Sequence, residues 1–378
     1  MRREDAERLR EAYAEATPIP ARFADAVGVV LPSVRELQHE VFADFDDKNY
    51  GTGWWAPHPG TSRRILISDY LIQCIDSIET NLVEARLHLI ELRDFDEQAD
   101  HLVEHAVQID PQGKLAIRMP PSEKAADELP HLIATVHIAG FFRAVGSALD
   151  CLGAAIIGVL ALPTSILKAD LDRAIAALGK VKTPRADGEK VQAAFGAVLA
   201  TFVATAGPPG WLPWTMDTRN MLVHRGRRLQ LSQLVPREPV RLSAGGRPIT
   251  LARSVRQLAQ DPQLSEVEAF VSAAAPVLTE DATTTLEGVM ASTLALSEKA
   301  AASLVEIWRQ RRAEPALLVQ PKEQWPEGRS TASRGFSGYR AGTVPFNIDA
   351  LVAHPTFVRR LQVAALEKNA RKKWDSFD

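Results

Sequence analysis

Leu71, Cys74, Ile75, Ile78, Leu82, Ala85 and Leu89 recur at three- and four-residue spacing, and this recurrence constrains the fold more than any other feature. An α-helix returns to the same side every 3.6 residues, so the set forms one apolar stripe. Such a stripe must be buried against another element. The segment 123–162 is more apolar still, and Leu286, Val289, Met290, Thr293, Ala300, Leu304 and Ile307 form a further stripe. The pattern predicts a mainly α fold built as a helical bundle.

The remaining elements follow from local signals. Helical patterning is expected over residues 2–16 and again to about Val41. Residues 47–62, rich in Gly, Pro and Trp, read as a loop that Trp54 and Trp55 pack down. A second helical stretch is predicted over about 97–108, then a turn from Ile109 to Gly113. Pro163 ends the apolar helix, and Pro163-Thr164-Ser165 opens another to about Leu178. Helix returns at 189–205 and is broken by Gly207-Pro208-Pro209-Gly210. The next helix carries Arg219 to His224 and ends near Gly226, a residue suited to a left-handed cap.

The period then changes to two. Leu229 and Leu231, Val240 and Leu242, and Ile249 and Leu251 alternate, with Gly245-Gly246 between the last two pairs. This predicts a small hairpin or three-stranded sheet after the motif helix. Helices are expected again at 264–276 and 281–312, an irregular stretch at 320–345, and a basic amphipathic helix from Pro355 to Lys373. The expected organisation is an N-terminal arm and loop (1–60), a helical bundle (61–228), a β-hairpin insertion (229–256), C-terminal helices (257–312) and a tail with a basic terminal helix (313–378).

Bulk properties narrow the function classes. A length of 378 residues allows two or three units. A net charge of -3 excludes a wholesale nucleic-acid coat, so any RNA contact must come from a local basic patch. Cys74 and Cys151 are the only cysteines, too few for a disulfide framework, which points to a reducing compartment. The charged N-terminal residues lack the apolar core of a signal peptide. The longest uncharged apolar run, between Asp150 and Lys168, is interrupted by Pro163 and falls short of the roughly 20 residues of a membrane span. A cytoplasmic protein without membrane contact is expected.

Four groups of residues carry potential chemistry. The first is Arg219-Asn220-x-x-x-His224. A neutral imidazole takes or gives a proton near neutral pH, and a guanidinium stabilises charge on a phosphoryl group. RNA brings its own nucleophile, the 2′-hydroxyl, so these two groups suffice to cut it without metal. Asn220 and His224 share a helix face, whereas Arg219 lies about 140° from His224. Two motif copies meeting across a dimer interface would bring both groups to one phosphate. Arg225, Arg227 and Arg228 add positive charge nearby as RNA-binding candidates. The alternative is local: Arg219 caps the helix or pairs with Asp217, and His224 merely ends it.

The second group is Arg143, Ser147 and Asp150, which share one face of the most apolar helix. They either orient the side chains of the motif helix or form a satisfied buried network that fixes the register of the bundle. The third is His101-Leu102-Val103-Glu104-His105, which matches an H-x-x-E-H zinc pattern but has no third ligand marked, so a solvated helix face is the expectation and no metal is assigned. The fourth is the tail Arg334 to Arg340, with Phe336 and Tyr339 between its arginines, together with Arg359, Arg360, Lys368, Arg371, Lys372 and Lys373. Arginine and aromatics can hold single-stranded RNA, and a solvated surface explains the same residues.

The run Arg219-Asn220-Met221-Leu222-Val223-His224, followed by Arg225-Gly226, resembles the R-x4–6-H signature of HEPN (higher eukaryotes and prokaryotes nucleotide-binding) domains. The apolar helix from Phe141 to Asp150 is similar to an early HEPN helix, and the resemblance covers about 130–228. It implies a four- to five-helix bundle, a homodimer, and a metal-independent endoribonuclease without cofactor that leaves 2′,3′-cyclic phosphate ends. In that reading Arg219 and His224 are catalytic, with Asn220, Asp150, Arg143 and Ser147 in support. The family also implies a defence or toxin setting with RNA as substrate and a cognate antitoxin or defence partner. The long N-terminal part, the hairpin and the C-terminal extension depart from a minimal member. They leave open a non-catalytic helical module that binds a nucleotide or a protein partner.

Overall fold

The computed structural model describes residues 26, 28–46, 51–52, 61–109, 115–117, 124–224, 230–236, 250–263, 277–314, 317 and 360. Their order is α1 (Pro32–Asp44), β1 (Phe45–Asp46), β2 (Gly51–Thr52), α2 (Thr61–Ala106), β3 (Val107–Ile109), β4 (Leu115–Ile117) and α3 (Lys124–Leu160). A 3-10 turn (Ile166–Lys168) leads to α4 (Leu171–Gly179), α5 (Asp187–Ala206), α6 (Trp211–His224), β5 (Gln230–Pro236), β6 (Thr250–Leu258) and α7 (Ala282–Ala313). The described residues are therefore mainly helical. The helices expected over 2–16, 264–276 and the C-terminal tail lie outside them.

The chain forms two compact units, each drawn from three stretches: residues 1–30, 79–148 and 203–296, and residues 31–78, 149–202 and 297–378. In the first unit the stripe of α2 is buried at Leu82, Ala85 and Leu89, and α3 contributes Ile138, Phe141, Phe142 and Val145. Phe141 and Phe142 are fully buried, each worth about 1.5–3 kcal/mol of burial, and meet edge-on at 5.5 Å. α7 adds Leu286, Val289, Met290 and Thr293, all buried.

Residues 61–106 form one helix where sequence patterning predicts two. The charged stretch that reads as an interruption is held by tertiary partners. Arg93 pairs with Glu287, and Asp96 accepts a hydrogen bond from Thr283 and faces Arg256 at 3.5 Å. The turn after it is also more than a turn. Val107–Ile109 and Leu115–Ile117 pair antiparallel, and β3 pairs with β6 through Gln108 and Leu251. The sheet order is β4-β3-β6-β5, with β5 and β6 in register from Gln230 opposite Leu258 to Pro236 opposite Ala252. Val240, Leu242 and Gly245-Gly246 lie outside the described residues.

In the second unit α1 buries Val34, Leu37 and Val41. Glu36, Glu40 and Asp44, one turn apart, meet α7. Arg309 reaches Glu36 at 2.6 Å and Glu40 at 2.7 Å, and Arg312 reaches Glu40 at 2.7 Å and Asp44 at 2.6 Å. The C-terminus of α3 closes with Ala161 at φ 49°, Ala161 N–H donating to Gly158 and Leu162 N–H to Ile157. This is the pattern of a left-handed helix cap. The last carbonyls are taken by side chains: Arg311 donates to Val159 at 2.7 Å and Leu160 at 3.0 Å, and Gln192 donates to Leu160 at 2.8 Å. The helix expected to start at Pro163 is instead a 3-10 turn followed by α4, because Asp170 caps a new start by accepting from Arg173 N–H at 2.7 Å.

Leu132–Leu160, with a mean hydropathy of 1.6, has the length and apolarity of a membrane span, which the shorter run after Asp150 does not. Of its apolar window 78% is buried inside the protein, where neighbouring elements account for its apolarity.

Candidate functional site

The motif helix α6 begins where the chain turns sharply. Gly210 has φ +83°, a left-handed conformation that glycine adopts without strain. A Cβ at Gly207 would lie 2.5 Å from Ser292 Oγ and 2.9 Å from the Trp211 ring, so the break also needs glycine for space. Pro213 sits in the first turn, where a missing N–H costs no intrahelical bond.

One side of α6 is then fixed by packing. Trp211, Leu212, Met216 and Met221 are buried. The Trp211 indole donates to the Val203 carbonyl at 3.0 Å, and the Trp214 indole donates to the Ala259 carbonyl at 3.2 Å. The Trp214 ring meets Phe142 of α3 edge-on at 5.7 Å. The hydroxyls of Thr215 and Thr218 are satisfied one turn back by Trp211 and Trp214 carbonyls. These contacts set the rotation of α6 about its axis, and hence where its polar residues emerge.

Arg219 consequently lies over Gly146 of α3. A Cβ at position 146 would come within 2.8 Å of both Cγ and Nε of Arg219, so the arginine stem occupies space that any larger residue would take. Arg219 Nη1 donates to Asn220 Oδ1 at 3.0 Å, and both residues are half-buried. The amide oxygen is neutral, so this contact orients the guanidinium without cancelling its charge. His224 is the last residue of α6. Its side chain, and Arg225, Arg227 and Arg228, lie outside the described residues.

The supporting stripe on α3 is divided. Arg143 is 61% exposed and its guanidinium pairs with Glu84 of α2, so the contact described for it is an interhelical ion pair rather than one with the motif helix. Exposed pairs of this kind contribute about 0–1 kcal/mol. Ser147 is half-buried. Asp150 belongs to the second unit, close to Tyr70 and the two thiols. Burial first, then Cys74, pushes the Tyr70 hydroxyl up to about 12, with Cys151 and Asp150 adding to the shift. Cys74 and Cys151 form no disulfide and are hydrogen-bonded to each other. The Cys151 thiol donates, which lowers the pKa of Cys74 and raises its own.

Of the remaining sequence candidates, Arg360 alone has a described side chain. His101, Glu104 and His105 fall in the last turns of α2, with side chains outside the described residues, as do Arg334, Phe336, Tyr339 and Arg340 of the tail. Arg360 is described, and it pairs with Asp69 in the second unit. It lies beside a cleft of about 430 Å³ lined by His39 and Phe42 of α1 and Ile72 and Asp76 of α2. Gln38 bridges those helices by donating to Asp76 at 2.7 Å.

Sequence reasoning missed Gly146 as the seat of Arg219 and Glu84 as the partner of Arg143. A glycine in an apolar helix and a glutamate 59 residues away carry no spacing signal. Compared with protein-family models, curated proteins and solved structures, the chain matches none.

Proposed function

We propose that the chain is a metal-independent endoribonuclease of HEPN type that acts as a homodimer. The observation that carries this reading is the setting of Arg219: its stem packed over Gly146 and its guanidinium held by Asn220, on the helix that ends at His224. By helical spacing Asn220 and His224 are four residues apart on one face, and Asn220 holds the Arg219 guanidinium. Helical spacing sets Arg219 about 140° from His224, and a second copy of the motif across a dimer interface would bring both groups to one phosphate.

The reaction follows from these groups. His224 takes the proton from the 2′-hydroxyl, and the 2′-oxygen attacks the adjacent phosphorus. The bond from phosphorus to the 5′-oxygen breaks, and the imidazolium returns a proton to that leaving oxygen. The products are a 2′,3′-cyclic phosphate and a 5′-hydroxyl. Arg219 stabilises the charge that builds on the non-bridging oxygens, an effect of about 10²–10³ in rate for one such donor. Proton transfer by His224 contributes about 10²–10⁴. The protein would work in the cytoplasm, in a defence or toxin setting, with an antitoxin or defence protein as its partner.

The test is cleavage of a structured RNA in EDTA, with the product ends analysed. Wild type is expected to cut and leave cyclic phosphates, and Arg219→Ala and His224→Ala are expected to lose activity. Cleavage abolished by EDTA overturns the mechanism. A protein that never cuts RNA but forms a stable complex with a nucleotide or protein points to the binding-module reading instead.

A further inference from the structure

Two histidines that belong to no sequence motif face each other in the first unit. His88 lies on α2 and His137 on α3, 49 residues apart in the chain, with their Nδ1 atoms 3.2 Å apart. The rings are inclined at 60° with centroids 5.5 Å apart. Since both facing atoms are ring nitrogens, one must donate and the other accept, so at most one proton lies between them.

The surroundings hold His88 in this position. Gly140 of α3 lies directly beneath its ring, and a Cβ there would come within 2.3 Å of Nε2 and 2.4 Å of Cε1. On the far side of the ring, Glu84 Oε1 stands 3.9 Å from Nε2 and is itself paired with Arg143. The carboxylate therefore sits behind the nitrogen that does not face His137. At 3.9 Å it makes no hydrogen bond with the ring, but it stands on the side from which an outer carboxylate orients a metal-bound imidazole. The His88 side chain is 22% exposed, which leaves a path to solvent.

We propose that His88 and His137 form a binding site for a divalent first-row transition ion, with Zn²⁺ as the reference case. The separation of the nitrogens carries the proposal. Zinc–imidazole bonds of about 2.0–2.1 Å in a tetrahedral site place two ligand nitrogens about 3.3 Å apart, close to the 3.2 Å seen here. The ion takes the place of the shared proton, displaced about 1.3 Å from the line between the nitrogens. Among the described residues no group of three or more His, Cys, Asp or Glu gathers as a metal site, so water completes the coordination. The ion would tie α2 to α3 within this unit, apart from the chemistry proposed for Arg219.

Isothermal titration of the full, chelator-treated chain with Zn²⁺ tests the site. One saturable equivalent is expected in wild type. Binding should weaken by more than the roughly 10- to 100-fold typical of an outer-shell change in His88→Ala and in His137→Ala, and by about 10-fold in Glu84→Gln. Glu84 is partly exposed, so that variant also serves if an alanine variant fails to fold, which circular dichroism would reveal. The double variant His101→Ala/His105→Ala should keep the ion. No saturable binding in folded wild type, or binding that survives both histidine substitutions, overturns the proposal.

Discussion

Arg219 and Arg311 both pack against α3, yet they use their charge in different ways. Arg311 is fully buried and donates to the main-chain carbonyls of Val159 and Leu160 at the end of the helix. Burial pushes its pKa down to about 10. Its acceptors are fixed parts of the backbone, so its role is structural: it satisfies a helix terminus that has few other partners. Arg219 is half-buried, lies over Gly146, and donates to a side-chain amide. An amide can rotate and give way to a phosphate oxygen, a stronger acceptor because it is charged. On the proposed function, the nature of the acceptor, more than the depth of burial, separates an arginine that holds the fold from one that serves a reaction.

Two substitutions test that contrast. Arg311→Ala should cost about 3–5 kcal/mol in urea unfolding, since it removes a large buried side chain and leaves the Val159 carbonyl without its donor, while the Leu160 carbonyl keeps Gln192. A loss below about 1 kcal/mol would mean that the Val159 carbonyl finds another partner, and the structural half of the comparison would fail. Gly146→Val should displace Arg219. RNA cleavage is expected to fall by about 10²–10³, as for loss of the guanidinium, with an overpacking cost of about 1–3 kcal/mol. A Gly146→Val protein that cuts at the wild-type rate would show that the seat of Arg219 does not matter.

The acid ladder of the second unit gives a smaller effect. Hydrogen bonds from Arg309 and then Arg312 hold Glu40 below the ordinary carboxylate value, despite the opposing effect of burial. A carboxyl lowered in the folded state stabilises fully above its unfolded value of about 4.3, and that contribution is lost as pH falls through the folded value. Urea midpoints measured from pH 6 to pH 3 should therefore fall less steeply for Glu40→Gln than for wild type. Equal slopes would remove Glu40 from the account. The smallest effect is expected at Ala161, where φ is 49°. Ala161→Gly should raise stability by about 0.5–1 kcal/mol by relieving left-handed strain, read as a higher urea midpoint. A lower midpoint would show that the cap is not strained.

Much of the helical framework was legible because it depends on period alone. All seven residues of the Leu71 to Leu89 stripe are buried, as are Leu286, Val289, Met290, Thr293, Ala300, Leu304 and Ile307. The failures have a common physical cause. The continuity of α2 depends on Arg93 meeting Glu287 and Asp96 meeting Arg256, and β3 depends on a partner strand far along the chain. Short strands and mid-helix charges carry little local preference, so tertiary pairing decides them. The candidate site was legible in its helix and its residue types. Its seat at Gly146 and the pairing of Arg143 with Glu84 were not, since each joins helices through contacts that no spacing encodes.

The proposed reaction requires Arg219 and His224 to act together on RNA. The most direct measurement is the rate of cleavage of one structured RNA in EDTA by wild type, Arg219→Ala and His224→Ala, with folding of each verified. The account predicts metal-free cleavage that falls by about 10²–10³ in the arginine variant and about 10²–10⁴ in the histidine variant. Cleavage that requires a metal ion, or a folded His224→Ala protein that cuts at the wild-type rate, contradicts it.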